Sequence, residues 1–258
     1  MGTCVSDRDK KEIGDEKESL ENQIFEEYNI INQQRLNLQK NINLKEMKKF
    51  AELGQKAICK IKIFGGYGSG FFCKIPDLNK LDNSNLLLYC LVTNFHVLNN
   101  EFLDEKQKIE LEINNNSVTI PLDNERKIWM NKDMDYTIIE IKKSDNIDSF
   151  LDYDEKINTD DFNNKEYKEA SILLPTFMKS GEIETDKGSV VLISNNSFIF
   201  HHTCNTDPGS SGGPIILIDN FTVIGIHKGY DKKNNKNVGI FLYNILKNMK
   251  EEKSLYKK

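Results

Sequence analysis

Two periodicities divide the chain. From Asp15 to Leu53 the residues are polar and charged, with intermittent apolar positions and no proline. Leu20, Ile24, Tyr28 and Ile31 fall at helical spacing, so this stretch predicts an amphipathic helix. Ile24, Ile31 and Leu38 also recur every seventh residue, but Glu27, Gln34 and Asn41 stand where a coiled-coil seam requires apolar partners, which argues against a long coiled coil. Gly54 is the predicted end of the helix, as a glycine C-cap. From Lys56 onward the period becomes two. Ala57, Cys59, Ile61 and Ile63 share one strand face, Gly65 to Gly68 turns the chain back, and Ser69 to Ile75 forms the next strand. Leu86 to Thr93 reads as a buried strand. Ile109 to Ile113 and Ser117 to Leu122 form a hairpin through Asn114, Asn115 and Asn116, whose side chains tolerate left-handed backbone. Tyr136 to Ile141 closes a first set of strands. The segment from Lys142 to Lys168, rich in Asp, Asn and Lys, reads as a connection. A second set follows: Ala170 to Leu174, Ser189 to Ile193, Ser197 to Thr203, Pro214 to Ile218, Thr222 to His227 and Val238 to Phe241. Tyr243 to Lys250 predicts a terminal helix before a charged tail. Short strands broken by frequent turn signals predict an all-β barrel or sandwich architecture.

Composition narrows the function classes. The chain has 258 residues and a net charge of -5, from 35 basic and 40 acidic residues. Those charges are scattered, and no basic face of the kind nucleic acids require is visible. No apolar run approaches the roughly 18 residues of a membrane-spanning helix, and the N-terminus lacks the apolar core of a secretory signal. The five cysteines (Cys4, Cys59, Cys73, Cys90, Cys204) are odd in number and lack framework spacing, which favours a reducing compartment. Met1-Gly2-Thr3-Cys4-Val5-Ser6 fits the N-myristoylation pattern, with Gly2 as acceptor. One such chain anchors only marginally. Asp7, Asp9 and Glu12 offset Arg8, Lys10 and Lys11, leaving palmitoylation of Cys4 as the second signal. The expected location is the cytoplasmic face of a membrane.

The candidate chemistry is concentrated in Asp207-Pro208-Gly209-Ser210-Ser211-Gly212-Gly213-Pro214, a glycine-rich stretch between apolar runs. Glycines allow backbone conformations closed to other residues, so amide groups can converge beside the Ser211 hydroxyl, as stabilisation of a tetrahedral oxyanion requires. The donors would be the amides of Gly209 and Ser211. Upstream, His96 ends the apolar run Leu91-Val92-Thr93-Asn94-Phe95, and Asp135 opens the strand Tyr136-Thr137-Ile138-Ile139-Glu140-Ile141. The order His, Asp, Ser is the one that chymotrypsin uses. With Gly65-Gly66-Tyr67-Gly68-Ser69-Gly70-Phe71 before the histidine, the sequence resembles the trypsin-like serine peptidases of chymotrypsin fold from about Lys56 to Leu246.

That resemblance implies two six-stranded antiparallel β-barrels with an N-terminal helical extension. It divides the chain into residues 1–54, a peptidase domain over 55–250, and a tail over 251–258. It implies His96 as general base, Asp135 as its orienting partner and Ser211 as nucleophile; Asp133 and Ser210 are the neighbouring competitors. The disulfide that braces the histidine in secreted relatives has no usual counterpart, because Val97 follows His96. Asn205 stands where trypsin carries its specificity aspartate, six residues before the nucleophile. Thr206 and His227 resemble the glutamyl endopeptidase branch and imply an acidic residue before the scissile bond, with Lys228 offering charge. In secreted members of that branch the mature N-terminal amine helps neutralise the substrate acid; here the N-terminus is distant. The substrate is a protein or peptide. No cofactor is expected, and His201-His202-Thr203-Cys204 lacks the spacing of a four-ligand zinc set. The rival reading is a protease-like module that binds partners without turnover. Oligomeric state is left open by the sequence.

Overall fold

The computed structural model of the protein describes residues 44–77, 86–106, 108–158, 162–177, 182–194 and 198–251. Two compact units make up the chain, Met1–Met47 and Lys48–Lys258. The helical stripe from Leu20 to Ile31, the acylation pattern at Gly2 and Cys4, and the tail beyond Glu251 lie outside the described residues.

Helix α1 (Leu44–Ala57) leads directly into β1 (Ile58–Ile63). Phe50 stacks on Phe221 with ring centroids 4.8 Å apart, and Leu53 packs on the same core. Gly54 is therefore inside the helix, contrary to the expected C-cap. A side chain there would meet only Ile58 at an ordinary 3.7 Å, and the helix yields where Ile58 begins pairing with Phe71.

The first half is one eight-stranded sheet. Its strands after β1 are β2 (Gly66–Pro76), β3 (Leu87–Thr93), β4 (Lys108–Ile113), β5 (Asn116–Pro121), β6 (Ile128–Asn131), β7 (Tyr136–Glu140) and β8 (Leu151–Asp152). They run in the order β5-β4-β1-β2-β3-β7-β6, with β8 parallel to β2. The β4–β5 hairpin turns on two residues, Asn114 and Asn115, at φ of 47° and 63°, which is the backbone a tight two-residue turn requires. Two short strands, β6 and β8, exceed the six expected. A four-residue run between Lys127 and Lys132, and a two-residue one, are too brief to show a period.

Alternation along β1 and β2 sends side chains to two cores. Cys59, Ile61 and Phe72 join Leu91, Val97 and Leu98 in one. Ile58, Phe71, Cys73 and Ile75 face the other, which continues into the second half. Between β3 and β4 lies α2 (Asn100–Lys106), capped by the Asn99 side chain accepting from the Phe102 amide at 2.9 Å.

The second half is a closed six-stranded barrel. Its strands are β9 (Ser171–Phe177), β10 (Ile183–Ile193), β11 (Ile199–His202), β12 (Pro214–Leu217), β13 (Val223–Asp231) and β14 (Lys236–Phe241), in the order β10-β11-β14-β13-β12-β9. Helix α3 (Leu242–Glu251) follows and buries Leu242, Ile245, Leu246 and Met249, one apolar face at helical spacing. The connection between halves is fixed by Arg126 and Asp145, buried side chains joined by two bonds of 2.7 and 2.9 Å.

Candidate active site

His96 is delivered by a single helical turn. After β3 the amides of Val97 and Leu98 both donate to the Asn94 carbonyl, at 3.2 and 3.1 Å, which lifts the His96 ring out of the buried run and leaves its side chain 48% exposed. Asp135 arrives from the β6–β7 turn in left-handed backbone, φ 57°, a conformation aspartate tolerates better than most residues. Three contacts fix the pair. The His96 amide meets Asp135 Oδ1 at 3.1 Å, the imidazole Nδ1 lies 3.0 Å from both carboxylate oxygens, and the Asn94 amide group donates to the Asp135 carbonyl at 3.0 Å. Between the two aspartates the structure discriminates cleanly. Asp135 is buried against the imidazole while Asp133 is exposed in the same turn.

Ser211 sits on the loop between β11 and β12. Gly209 and Gly212 take φ of 103° and 90°, and space as well as backbone demands glycine there. A Cβ on Gly212 would lie 2.0 Å from the Ser69 carbonyl oxygen, and one on Gly209 would lie 2.2 Å from the Tyr67 ring. Within the loop the Ser210 amide donates to Asp207, the Gly213 amide to Ser210 and the Gly212 amide to His227. Among the described residues, the amides of Gly209 and Ser211 donate to no protein acceptor. Those two N–H groups are the pair that the sequence assigns to oxyanion stabilisation.

The neighbouring serine is occupied. Ser210 is buried, its hydroxyl donating to Thr176 Oγ1 at 3.1 Å and accepting from the Asp207 amide at 3.2 Å. Ser211 is half-buried, and its hydroxyl donates to the Lys228 carbonyl at 3.2 Å. The Lys228 ammonium lies 3.8 Å from Asp135 Oδ2. One residue of β13 thus touches both Ser211 and Asp135, which brings the three sequence-predicted side chains into one neighbourhood. No hydrogen bond links Ser211 to His96 among the described residues.

Thr206 and His227 differ in availability. The Thr206 hydroxyl donates to Asn237 Oδ1 at 2.8 Å, and Asn237 Nδ2 donates to the Cys204 carbonyl at 2.6 Å. His227 is buried, with Nδ1 3.1 Å from Nε2 of the equally buried His202. Burial, with repulsion from His202 and His96, pushes His227 down to about 3, and burial, with repulsion from His201, pushes His202 down to about 4, so both rings are neutral near pH 7. Their donors are hydrogen bonds without formal charge. Lys228, the candidate cation of this region, has its ammonium against Asp135 instead. His201 turns elsewhere, its Nε2 lying 3.3 Å from Asp231. Cys59, Cys73, Cys90 and Cys204 are all free and buried, and burial raises each thiol, Cys204 to about 12.

Sequence reasoning missed Ser69. Buried on β2, it donates its amide to the Ser211 carbonyl and its hydroxyl to the Gly209 carbonyl, both at 2.8 Å, and accepts from the Phe177 amide at 3.3 Å. Thr93 supports it by donating to the Ser69 carbonyl at 2.8 Å. The available signal was a hydroxyl between two glycines in an otherwise apolar strand.

Solved structures with the same fold include a serine endoprotease from Yersinia pestis (13% identity, TM-score 0.52, covering 78% of this chain and 65% of that one). They also include the serine protease domain of the Sesbania mosaic virus polyprotein (18%, 0.52, 75% and 92%) and a catalytically inactive tobacco etch virus protease bound to substrate (16%, 0.51, 78% and 87%). The chain spans about two thirds of the Yersinia enzyme's length. At these identities the likeness establishes the fold, a two-barrel serine protease architecture. No curated protein matches the chain. Residues 88–243, which run from β3 into α3 and include His96, Asp135 and Ser211, match the family model for peptidase S39, and the chain belongs to that family of serine peptidases.

Proposed function

We propose that this chain is an endopeptidase that hydrolyses protein or peptide substrates through an acyl-enzyme on Ser211. In this reading Ser211 Oγ attacks the scissile carbonyl carbon and its proton passes to His96 Nε2. Asp135 holds the imidazole by Nδ1, and the Gly209 and Ser211 amides receive the oxyanion. His96 then returns the proton to the leaving amine, and water repeats the sequence to release the acid. The observation that carries the reading is the His96–Asp135 pair, joined through Lys228 to a serine flanked by two amides that have no protein acceptor among the described residues. The present bond from Ser211 to the Lys228 carbonyl favours the rival, a non-hydrolytic binding module. Against it, serine–histidine links are often loose without substrate and tighten on binding.

A fluorophosphonate probe separates the two. Covalent labelling of the wild type that is lost in Ser211→Ala and in His96→Ala supports the peptidase. An unlabelled but folded wild type makes the chain a binding module.

We further infer that the residue before the scissile bond is acidic, with Thr206 and His227 as its partners. Because His227 is neutral and the Lys228 ammonium faces Asp135, recognition would rest on hydrogen bonds, which cost less to arrange for a partly solvated carboxylate than for a buried one. Glu-containing peptides are expected to be cut faster than Arg-containing ones; equal or reversed rates remove the inference.

Acylation at Gly2 and Cys4 is a third inference, resting on the sequence pattern alone. It would hold the enzyme at the cytoplasmic face of a membrane. Incorporation of an alkynyl myristate that is abolished by Gly2→Ala supports it, and incorporation unchanged by that substitution removes it.

A further inference from the structure

Lys228 occupies an irregular point of β13. In the pairing with β14, His227 faces Gly239 and Gly229 faces Val238, so the register shifts across Lys228 and leaves it unpaired. Gly229 follows at φ 150°. Such a bulge bends a strand and re-aims one side chain, and bulges recur beside active sites. Here the side chain points back over the His96–Asp135 pair. Its Nζ lies 3.8 Å from Asp135 Oδ2, while Oδ1 takes the His96 amide. Among the described residues Lys228 is the one lysine or arginine within 4 Å of this carboxylate, whose side chain is only 9% exposed.

We propose that Lys228 is a positioning residue whose ammonium shares the Asp135 carboxylate with His96 and thereby sets the pH range in which His96 acts as a base. A carboxylate shared with a lysine stabilises a neighbouring imidazolium less than one that the imidazole has to itself. The ammonium also repels the imidazolium that forms when His96 takes the serine proton. Both effects have one sign, and they extend the basic form of His96 to lower pH.

The other charged groups around His96 do not supply this effect. Asp135 faces it from the β6–β7 turn. His227 of β13 interacts with it electrostatically but is neutral until about pH 3. Glu101 of α2 shares with His96 a cavity of about 240 Å³ lined by Ile63, Phe64, Val97 and Phe102, and it is exposed to water. Removing the Lys228 charge leaves His227 neutral and Glu101 exposed to water, so neither accounts for a shift in that variant.

The test is Lys228→Met, which keeps the stem and the main-chain carbonyl that accepts from Ser211. The acid limb of kcat/KM for a peptide substrate is expected to move up by about half to one pH unit. That is less than the about one to three units a charge in direct contact gives a carboxylate, because Lys228 touches Asp135 and not the imidazole and its side chain is 39% exposed. Lys228→Arg should restore the limb, and in an Asp135→Asn background Lys228→Met should move it less, because only the direct repulsion of the imidazolium is then left to remove.

The proposal rests on the peptidase reading for its rate measurement only. Imidazole NMR of His96 in the Ser211→Ala protein reads the same electrostatics without turnover. A His96 titration that moves up in Lys228→Met supports the proposal whether or not the chain hydrolyses peptides. A titration and an acid limb that both stay in place, even with lowered kcat, reduce Lys228 to a structural residue and overturn it.

Discussion

The main-chain amide of Ser69 donates to the main-chain carbonyl of Ser211 at 2.8 Å, so a strand of the first sheet grips the candidate nucleophile itself. The Ser69 hydroxyl adds a second grip at Gly209, the residue whose amide is free for an oxyanion. The loop is therefore held from across the interface between the two halves, and its shape depends on their docking.

Ser69→Ala removes the hydroxyl bonds to Gly209 and Phe177 while keeping the amide bond to Ser211. Each lost bond of this kind is worth about 1 kcal/mol of stability. The expected result is a folded protein, less stable by about 1 to 3 kcal/mol in urea unfolding, with fluorophosphonate labelling slowed about tenfold or more. Losing one oxyanion donor from its proper place costs about 3 kcal/mol of barrier. Labelling at the wild-type rate would show that Ser69 does not set the loop.

Gly212→Ala should be harsher. Its Cβ would stand 2.0 Å from the Ser69 carbonyl oxygen and 2.3 Å from Thr93 Oγ1. Neither atom can withdraw without breaking the contacts just described. Labelling is expected to be abolished, with a clear drop in melting temperature. Ser210→Ala is the contrasting case: it removes the bond to Thr176 but leaves the nucleophile, so labelling persists at a reduced rate.

The His202–His227 pair makes stability depend on pH. An unfolded histidine titrates near 6.5, whereas these rings are pushed down to about 4 and about 3. Below pH 6.5 the unfolded chain binds protons that the folded chain refuses, so stability is present above that pH and is lost as pH falls. Each ring contributes a slope of up to about 1.4 kcal/mol per pH unit until its folded value is reached. Urea midpoints measured from pH 7 to pH 4.5 should fall accordingly, and His202→Gln should flatten the decline. A midpoint insensitive to pH across that window would mean that the rings are hydrated.

Arg126 and Asp145 test the connection between halves. Both side chains are essentially inaccessible, and breaking a buried pair by removing one partner costs about 3 to 5 kcal/mol, because a charge is left buried alone. Asp145→Asn should destabilise the fold by that amount in urea unfolding. Lys142→Met, which removes an exposed bridge to Asp123, should change stability by less than about 1 kcal/mol.

Much of this protein was written in local pattern. The change of period near Lys56, the Asn114-Asn115 turn and the apolar face of α3 follow from side-chain spacing and backbone preference alone, because short-range sterics and burial act within a few residues. The order of His96, Asp135 and Ser211, and the glycines around Ser211, were legible for the same reason, since each element carries its own chemistry. What the chain could not reveal locally is what depends on distant segments meeting. The helix end at Ala57 was decided by the pairing of Ile58 with Phe71, which overrode Gly54 as a stop signal. Strands as short as β6 and β8 exist because neighbours supply their hydrogen bonds. Ser69 gained its role 142 positions before Ser211 by facing it across the two halves. Lys228, which the sequence placed as a pocket charge, was turned toward Asp135 by a bulge in β13. Patterns of two and 3.6 specify elements; only the packing of those elements assigns each polar side chain its partner.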